Sequence, residues 1–198
     1  TKKTDVVIVG AGTAGCYTAW KLAEKGYSVT IVERKKRGTL GKNVGIFHID
    51  EIRFEQFGIP LPEGKELIGH YPDGLAWPPD GNDVKTVRYG FYVMDLPLFI
   101  LRMQSIARKA GVKILFETKF EKPVIDNGVV TGVRVSGGGK RYDIAAKLTI
   151  DASGVDSVVR CALPSDMGLE NAPIDPKDFL YVILQYWDNV EGKDVGTF

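Results

Sequence analysis

Three glycines and one acidic residue near the N-terminus are spaced as in loops that bind phosphate-bearing ligands. Gly10, Gly12 and Gly15 follow the pattern G-x-G-x-x-G, and Glu33 lies 18 residues beyond the last of them. In this pattern the first glycine permits a tight turn, the second lets a pyrophosphate approach the backbone, and the third lets a helix pack closely on a strand. An acid about 20 residues further on is suited to accept hydrogen bonds from ribose hydroxyls. The four residues together predict a dinucleotide-binding site.

The residues around the glycines predict the elements that position them. Residues 6–9 form an apolar run typical of a buried parallel strand, residues 13–25 have a helical pattern that ends at Gly26, and residues 27–32 predict a second strand. The N-terminus of the helix would present N–H groups and a positive dipole end to the phosphates. Arg34 is predicted to lie along the adenine edge. The basic run at residues 34–37 also suggests NADP, but a carboxylate at Glu33 would repel a ribose phosphate. A solvated basic turn explains residues 35–37 better.

Composition narrows the function classes. The 198 residues include 26 Lys and Arg against 25 Asp and Glu, so no basic field indicates a nucleic-acid partner. No apolar run has the roughly 20 residues that a membrane helix needs, and no leader pattern opens the chain, which predicts a cytoplasmic protein. Cys16, Cys161, His48 and His70 are isolated in sequence, so no metal site is predicted. Cys16 is interpreted as a small residue that packs under the first helix and not as a reactive thiol.

The rest of the chain does not continue as an NAD-binding domain, which would alternate helices and strands at once. Residues 37–90 are rich in Gly and Pro and predict an inserted β-rich segment. Helical spacing returns at residues 96–110 and ends at Gly111. The predicted strands after residue 37 are 65–70, 75–77, 84–89, 112–117, a meander of 119–125, 129–135 and 141–144, a buried strand at 147–150, and 179–187.

At this point the chain resembles the FAD-dependent oxidoreductases of the glutathione-reductase and p-hydroxybenzoate-hydroxylase structural type, in which a three-stranded meander replaces a crossover helix. The segment DASGVDSVVR resembles a motif near the flavin pyrophosphate, with Ser153 where the motif has Asp. GKNVGIFHIDE and FYVMDLPLFILRMQSIARKAGV resemble the geranylgeranyl-reductase branch and the FixC and electron-transfer-flavoprotein dehydrogenase branch. Leu96 stands where that family commonly has Arg, and the loop cysteine of many archaeal geranylgeranyl reductases is absent.

The resemblance implies an α/β fold: a Rossmann-like FAD/NAD(P)-binding domain with a parallel sheet and a three-stranded β-meander crossover, in residues 1–58 and 91–160. Residues 59–90 and 161–198 would be part of a substrate-binding β domain. The implied cofactor is FAD, with NAD(P)H as a candidate electron donor, and no catalytic residue is assigned because the flavin supplies the redox chemistry. The predicted cofactor-binding residues are Gly10, Ala11, Gly12, Thr13, Ala14, Gly15, Glu33, Arg34, Gly41, Lys42, Asn43, Val44, Phe120, Asp151 and Gly154.

Within that set the resemblance implies distinct roles. Gly41 to Val44 would lie near the isoalloxazine ring, Phe120 near adenine, and Gly154 where the backbone approaches the cofactor. Plain turns at Gly41 and a core position for Phe120 remain alternatives. Later motifs of the family are missing, so the chain is expected to be an N-terminal fragment.

The resemblance favours a reductase or dehydrogenase acting on an apolar or isoprenoid substrate. An aromatic monooxygenase and a non-catalytic dinucleotide-binding fragment are the alternatives. The expected partner is a small molecule or lipid, peripheral contact with a membrane or an electron carrier stays open, and the sequence predicts no oligomeric state.

Overall fold

A computed structural model describes residues 2–180 except 77, 79, 81 and 84. Its helices and strands alternate at first and then give way to a long run of strands. In chain order they are Lys2–Val9 (β1), Thr13–Glu24 (α1), Val29–Val32 (β2), Ile46–Asp50 (β3), Glu51–Phe57 (α2), Leu67–Tyr71 (β4), Gly74–Ala76 (β5), Lys85–Val87 (β6), Phe91–Asp95 (β7), Leu96–Lys109 (α3), Lys113–Leu115 (β8), Thr118–Asp126 (β9), Val129–Gly137 (β10) and Lys140–Asp151 (β11).

Residues 2–41 and 100–180 form one compact unit, built on a six-stranded sheet. The strand order is β8-β2-β1-β11-β10-β9. Strands β8, β2, β1 and β11 run parallel, whereas β11, β10 and β9 form an antiparallel meander. This arrangement confirms the predicted α/β fold with a parallel sheet and a meander.

The core of this unit follows from the apolar runs. Val7 and Ile8 in β1 are fully buried, because a parallel strand in the middle of a sheet is covered on both faces. One buried cluster joins the parallel strands to the meander, through Val7 and Val9 on one side and Val133 and Val135 on the other. The helix prediction at residues 13–25 is confirmed within one residue, and Gly26 follows with φ +88° as the predicted stop.

Strand β11 corrects the sequence interpretation. The predicted strands 141–144 and 147–150 are one continuous strand, which pairs with β10 through residues 140–145 and with β1 through residues 144–151. The alanines at 145 and 146 continue the extended backbone and do not interrupt it. The prediction of a buried strand at 147–150 is also wrong in part, because Lys147 is exposed and Leu148 is 50% exposed.

Residues 42–99 form a second compact unit. It contains a three-stranded antiparallel sheet in the order β3-β7-β4 and an antiparallel pair of β5 and β6. Phe54 of α2 is 1% exposed and meets Tyr92 of β7 edge to face, with 5.2 Å between ring centroids. Strand β3 and helix α2 were not predicted from the sequence, because their short mixed pattern has no clear period.

The two units do not follow the predicted division at residues 58 and 91. Strands β3 and β7 pair with each other along their whole length, so residues 46–50 and 91–95 belong to one sheet. The role of this unit in substrate binding stays a prediction. The predicted strand at 179–187 falls mostly on residues outside those described, as do the ends of the predicted strands at Trp77 and Val84, and Phe179 and Leu180 are not in a strand. Among the described residues, no helix combines the length and apolar character needed to span a membrane.

Candidate functional site

The glycine-rich loop connects β1 to α1 at the carboxyl end of the parallel strands. Gly10 has φ +109° and donates its N–H to the Val32 carbonyl oxygen at 2.9 Å. A Cβ added at Gly10 would collide with the Ala152 carbonyl oxygen, and one added at Gly15 would collide with the Gly10 carbonyl oxygen. These two glycines are therefore required by close backbone packing within the chain.

Gly12 differs from both, because a Cβ added there would meet no atom within 4 Å beyond the residues next to it in the chain. Gly12 is also the N-cap of α1, and its carbonyl accepts the first helical hydrogen bond from Cys16 at 3.0 Å. No side chain caps the helix, and its first turn has no acidic residue. The first N–H groups of a helix lack partners within it and attract anions, so this open, uncapped end fits a phosphate group.

Glu33 lies at the end of β2 and is 7% exposed. Its Oε2 accepts the Ala11 N–H at 2.9 Å, and its Oε1 accepts the Lys35 N–H at 2.8 Å. A carboxylate has about four lone-pair sites, so both oxygens keep capacity for further donors. The structure thus gives Glu33 a role in holding the glycine-rich loop, and its predicted contact with ribose stays a prediction.

Gln104 of α3 is a residue that the sequence analysis missed. Its side chain is 1% exposed, and its Nε2 donates to the Ala11 carbonyl oxygen at 3.1 Å. It lies on the buried stripe of the helix with Ile100, Met103 and Ala107. The signal available in the sequence was a polar amide within an apolar helix stripe. A buried polar group needs a hydrogen-bond partner, so this amide indicated a specific contact.

A second loop follows β11 and lies next to the first, with Ala152 N–H donating to the Val9 carbonyl at 2.9 Å. The Asp151 carboxylate organises this loop. Its Oδ1 accepts the N–H and hydroxyl of Ser153 at 3.1 and 2.6 Å, and its Oδ2 accepts the N–H groups of Val159 and Arg160, both at 2.9 Å. Burial alone would raise the pKa of Asp151, but these hydrogen bonds outweigh burial and hold the pKa below its usual range.

Two further residues near these loops have internal partners. The Arg34 guanidinium pairs with Asp156 of the second loop at 3.1 Å, and both side chains are about half exposed.

Cys16 is fully buried, and burial followed by the charge of Glu33 raises the pKa of its thiol to about 12. A thiol in this state is not a nucleophile near neutral pH, in agreement with a packing role.

The remaining predicted site residues are distributed over the two units. Gly41 lies in the first unit, whereas Lys42, Asn43 and Val44 are exposed residues of a turn in the second. Phe120 of β9 is partly buried against the core cluster of the first unit. The structure therefore brings together residues 10–15, Glu33, Arg34 and the loop after Asp151. The described part of the chain has no group of three or more His, Cys, Asp or Glu side chains placed to hold a metal ion.

The chain matches a known protein family and is similar to several known proteins. The sequence model of the family described as FAD dependent oxidoreductase matches residues 5–173. The chain is 27% identical over 178 residues to a digeranylgeranylglycerophospholipid reductase of Sulfolobus acidocaldarius, covering 89% of this chain and 39% of that protein. It is 33% identical over 161 residues to digeranylgeranylglycerophospholipid reductase 1 of Methanococcoides burtonii, covering 78% of this chain and 38% of that protein.

A solved structure shares the fold. A geranylgeranyl bacteriochlorophyll reductase-like protein from Thermoplasma acidophilum superimposes with a TM-score of 0.73 at 19% identity, covering 81% of this chain and 42% of that one. The chain thus spans about two fifths of the length of the curated relatives and of the structure that it matches.

Proposed function

The chain belongs to the FAD dependent oxidoreductase family, and from that premise we propose that the glycine-rich loop and the N-terminus of α1 bind the pyrophosphate of FAD. The observation that carries the proposal is the contrast among the three glycines. At Gly10 and Gly15, backbone atoms of the chain occupy the space where a Cβ would lie. At Gly12 that space is open, next to an uncapped helix end. That open space is what a phosphate group would fill.

Other predicted residues take roles around this point. Glu33 keeps acceptor capacity for the adenosine ribose hydroxyls, and Arg34, beside the second loop, would lie along the adenine edge. Phe120, Asp151 and Gly154 complete the predicted set in the first unit, with Asp151 acting through the shape of its loop because its oxygens already accept four hydrogen bonds. Gly41 to Val44 remain our candidates for the isoalloxazine end.

For the whole protein we propose the reduction of carbon–carbon double bonds in an isoprenoid lipid. The curated relatives reported above are named as reductases of digeranylgeranylglycerophospholipids, which supports a substrate of that class. Bound FAD supplies the hydride and electron transfer. Each double bond that is saturated takes up two electrons and two protons, and NAD(P)H or a protein electron carrier is the proposed donor. We also propose that the protein is cytoplasmic, and a lipid substrate favours its action at the membrane surface.

Titration of the purified chain with FAD tests the cofactor site directly. The expected result is saturable quenching of flavin fluorescence at about one FAD per chain, with no comparable binding of NAD. A folded chain that binds neither FAD nor inorganic pyrophosphate would contradict the site.

The activity requires a separate assay on the full gene product. Reduced FAD enzyme, mixed anaerobically with a geranylgeranyl lipid, should be reoxidised while mass spectrometry shows a gain of two hydrogens per double bond. Flotation with liposomes that contain the lipid tests the membrane contact. Consumption of O₂ with hydroxylation of an aromatic compound, and no change in the lipid, would replace the reductase assignment with a monooxygenase.

A further inference from the structure

A buried glutamine in an apolar helix face needs a reason, and Gln104 has one partner that points to function. Its Nε2 donates to the Ala11 carbonyl oxygen at 3.1 Å, across 93 residues of sequence. Its Oε1 is buried and has no partner among the described residues. An unpaired buried acceptor is unfavourable. The hydrogen bond that Nε2 donates to Ala11 therefore has to account for an amide at this position.

The orientation of this amide follows from its partner. A carbonyl oxygen can only accept, so the side-chain atom that faces Ala11 must be the NH₂ group. Turning the amide over would set two oxygens against each other. The Cys16 thiol also donates to the Ala11 carbonyl, at 3.4 Å, but a thiol is a weak donor.

Ala11 is held from two directions. Its N–H donates to Glu33 Oε2 at 2.9 Å, while its carbonyl accepts from Gln104. The two peptide groups that flank Ala11 are thus each tied to a buried side chain, and Ala11 itself is fully buried.

The peptide between Ala11 and Gly12 transmits this restraint to the open side of the loop. In a planar trans peptide the C=O and the following N–H point in opposite directions. A carbonyl of Ala11 directed at Gln104 therefore directs the Gly12 N–H away from α3. Among the three glycines of this loop motif, Gly12 is the one beside which the chain leaves open space.

We propose that Gln104 is a positioning residue that aims the Gly12 N–H at the phosphate of the bound dinucleotide. The inference rests on the proposed FAD site and adds a determinant of cofactor affinity that lies outside the glycine motif. Gln104 contacts the loop on the side opposite to the Gly12 N–H, so it need not contact the cofactor itself.

The test compares three variants by their affinity for FAD and by their unfolding midpoint without FAD. Gln104→Leu keeps the approximate volume of the side chain and removes the donor, so the dissociation constant for FAD should rise about tenfold, the effect of one buried hydrogen bond. Met103→Ala is the matched control, because Met103 is fully buried on the same helix and its thioether has no hydrogen to donate. It should lower the unfolding midpoint at least as much while leaving FAD affinity within about twofold. Equal losses of affinity in the two variants would overturn the proposal.

Gln104→Glu provides a second readout that general destabilisation would not reproduce. The introduced carboxyl can donate to the Ala11 carbonyl only when it is protonated, and burial favours that form. FAD affinity relative to the unsubstituted chain should therefore recover as pH falls from 8 to 5. Glu33 and Cys16 also face this point, so each measurement is divided by that of the unsubstituted chain at the same pH. A ratio that does not change with pH would contradict the proposal.

The backbone itself gives a readout that does not depend on FAD binding. In ¹⁵N-labelled protein without ligand, Gln104→Leu should shift the Gly12 amide resonance, whereas Met103→Ala should leave it in place. An unchanged Gly12 resonance in Gln104→Leu would refute the positioning role. If the unsubstituted chain fails to bind FAD but Gly12 shifts as expected, the FAD site is wrong and the restraint on the loop stands.

Discussion

Two loops at the carboxyl ends of neighbouring parallel strands are stabilised in different ways. The loop after β1 is held by side chains from elsewhere in the chain, Glu33 at the end of β2 and Gln104 in α3. The loop after β11 is held by the last residue of that strand, Asp151, which accepts four hydrogen bonds from within the next nine residues. The first loop keeps an open space at Gly12, and the second uses its polar groups internally. Support by residues outside the loop thus leaves the N-terminus of α1 open beside Gly12.

The largest effect on stability is expected from removing the Asp151 carboxylate, which accepts the hydrogen bonds of the second loop. Asp151→Ala would leave three backbone N–H groups and the Ser153 hydroxyl without their acceptor, and should lower the free energy of unfolding by about 3 kcal/mol. Chemical denaturation measures this loss. Asp151→Asn keeps one acceptor oxygen and should lose less. A loss below about 1 kcal/mol for the alanine variant would show that the loop does not depend on this carboxylate.

Substitutions at two glycines of the first loop can separate a role in packing from a role in ligand binding. Gly15→Ala would force a methyl group onto the Gly10 carbonyl oxygen and should destabilise the fold by about 2 kcal/mol. Gly12 has φ −75°, which any residue adopts, and open space around it. Gly12→Ala should therefore change stability by less than about 0.5 kcal/mol and still weaken FAD binding more than about tenfold. Equal stability losses in the two variants would remove the distinction between these glycines.

Acid should weaken the second loop through protonation of Asp151. The folded pKa of Asp151 lies below that of the unfolded chain, so its contribution to stability is fully present above about pH 4 and is lost as pH falls through the folded pKa. The Asp5 pKa is also lowered, by hydrogen bonds from Lys147 and Ser28, so the unsubstituted chain should lose stability for both reasons. Urea midpoints between pH 5 and pH 2 should fall less steeply for Asp151→Asn. Identical slopes would show that Asp151 does not titrate differently in the folded chain.

The smallest effect is expected for the contact that joins the two loop regions at the surface. Arg34 and Asp156 form an exposed ion pair, and such pairs are worth little in water. Arg34→Ala should change the free energy of unfolding by less than about 0.5 kcal/mol. If Arg34 lies along adenine, the same variant should weaken FAD binding, which fluorescence titration measures. An unchanged FAD affinity would restrict Arg34 to the ion pair.

Local patterns in the sequence predicted much of the first unit. The glycine spacing, the helical period of residues 13–25 and the Gly26 stop led to β1, the loop and α1 because each depends on contacts between near neighbours. Strand β11 was divided in error, since a strand that pairs with different partners at its two ends has no mark of that in its sequence. Strand β3 and α2 were missed because pairing with β7 and packing on Tyr92 stabilise them more than any periodic pattern does.

Residue spacing was enough to predict the α/β order and the glycine-rich loop, because the spacing of glycines and apolar residues encodes local backbone geometry directly, and the resemblance of longer motifs led to the family. How the glycine-rich loop is supported became evident only in the folded chain. The Glu33 carboxylate and the Gln104 amide meet Ala11 across 22 and 93 residues, and no local pattern records which distant polar group will satisfy a buried N–H or carbonyl. The fold brings those partners together, and the need to pair every buried polar group makes them part of the site.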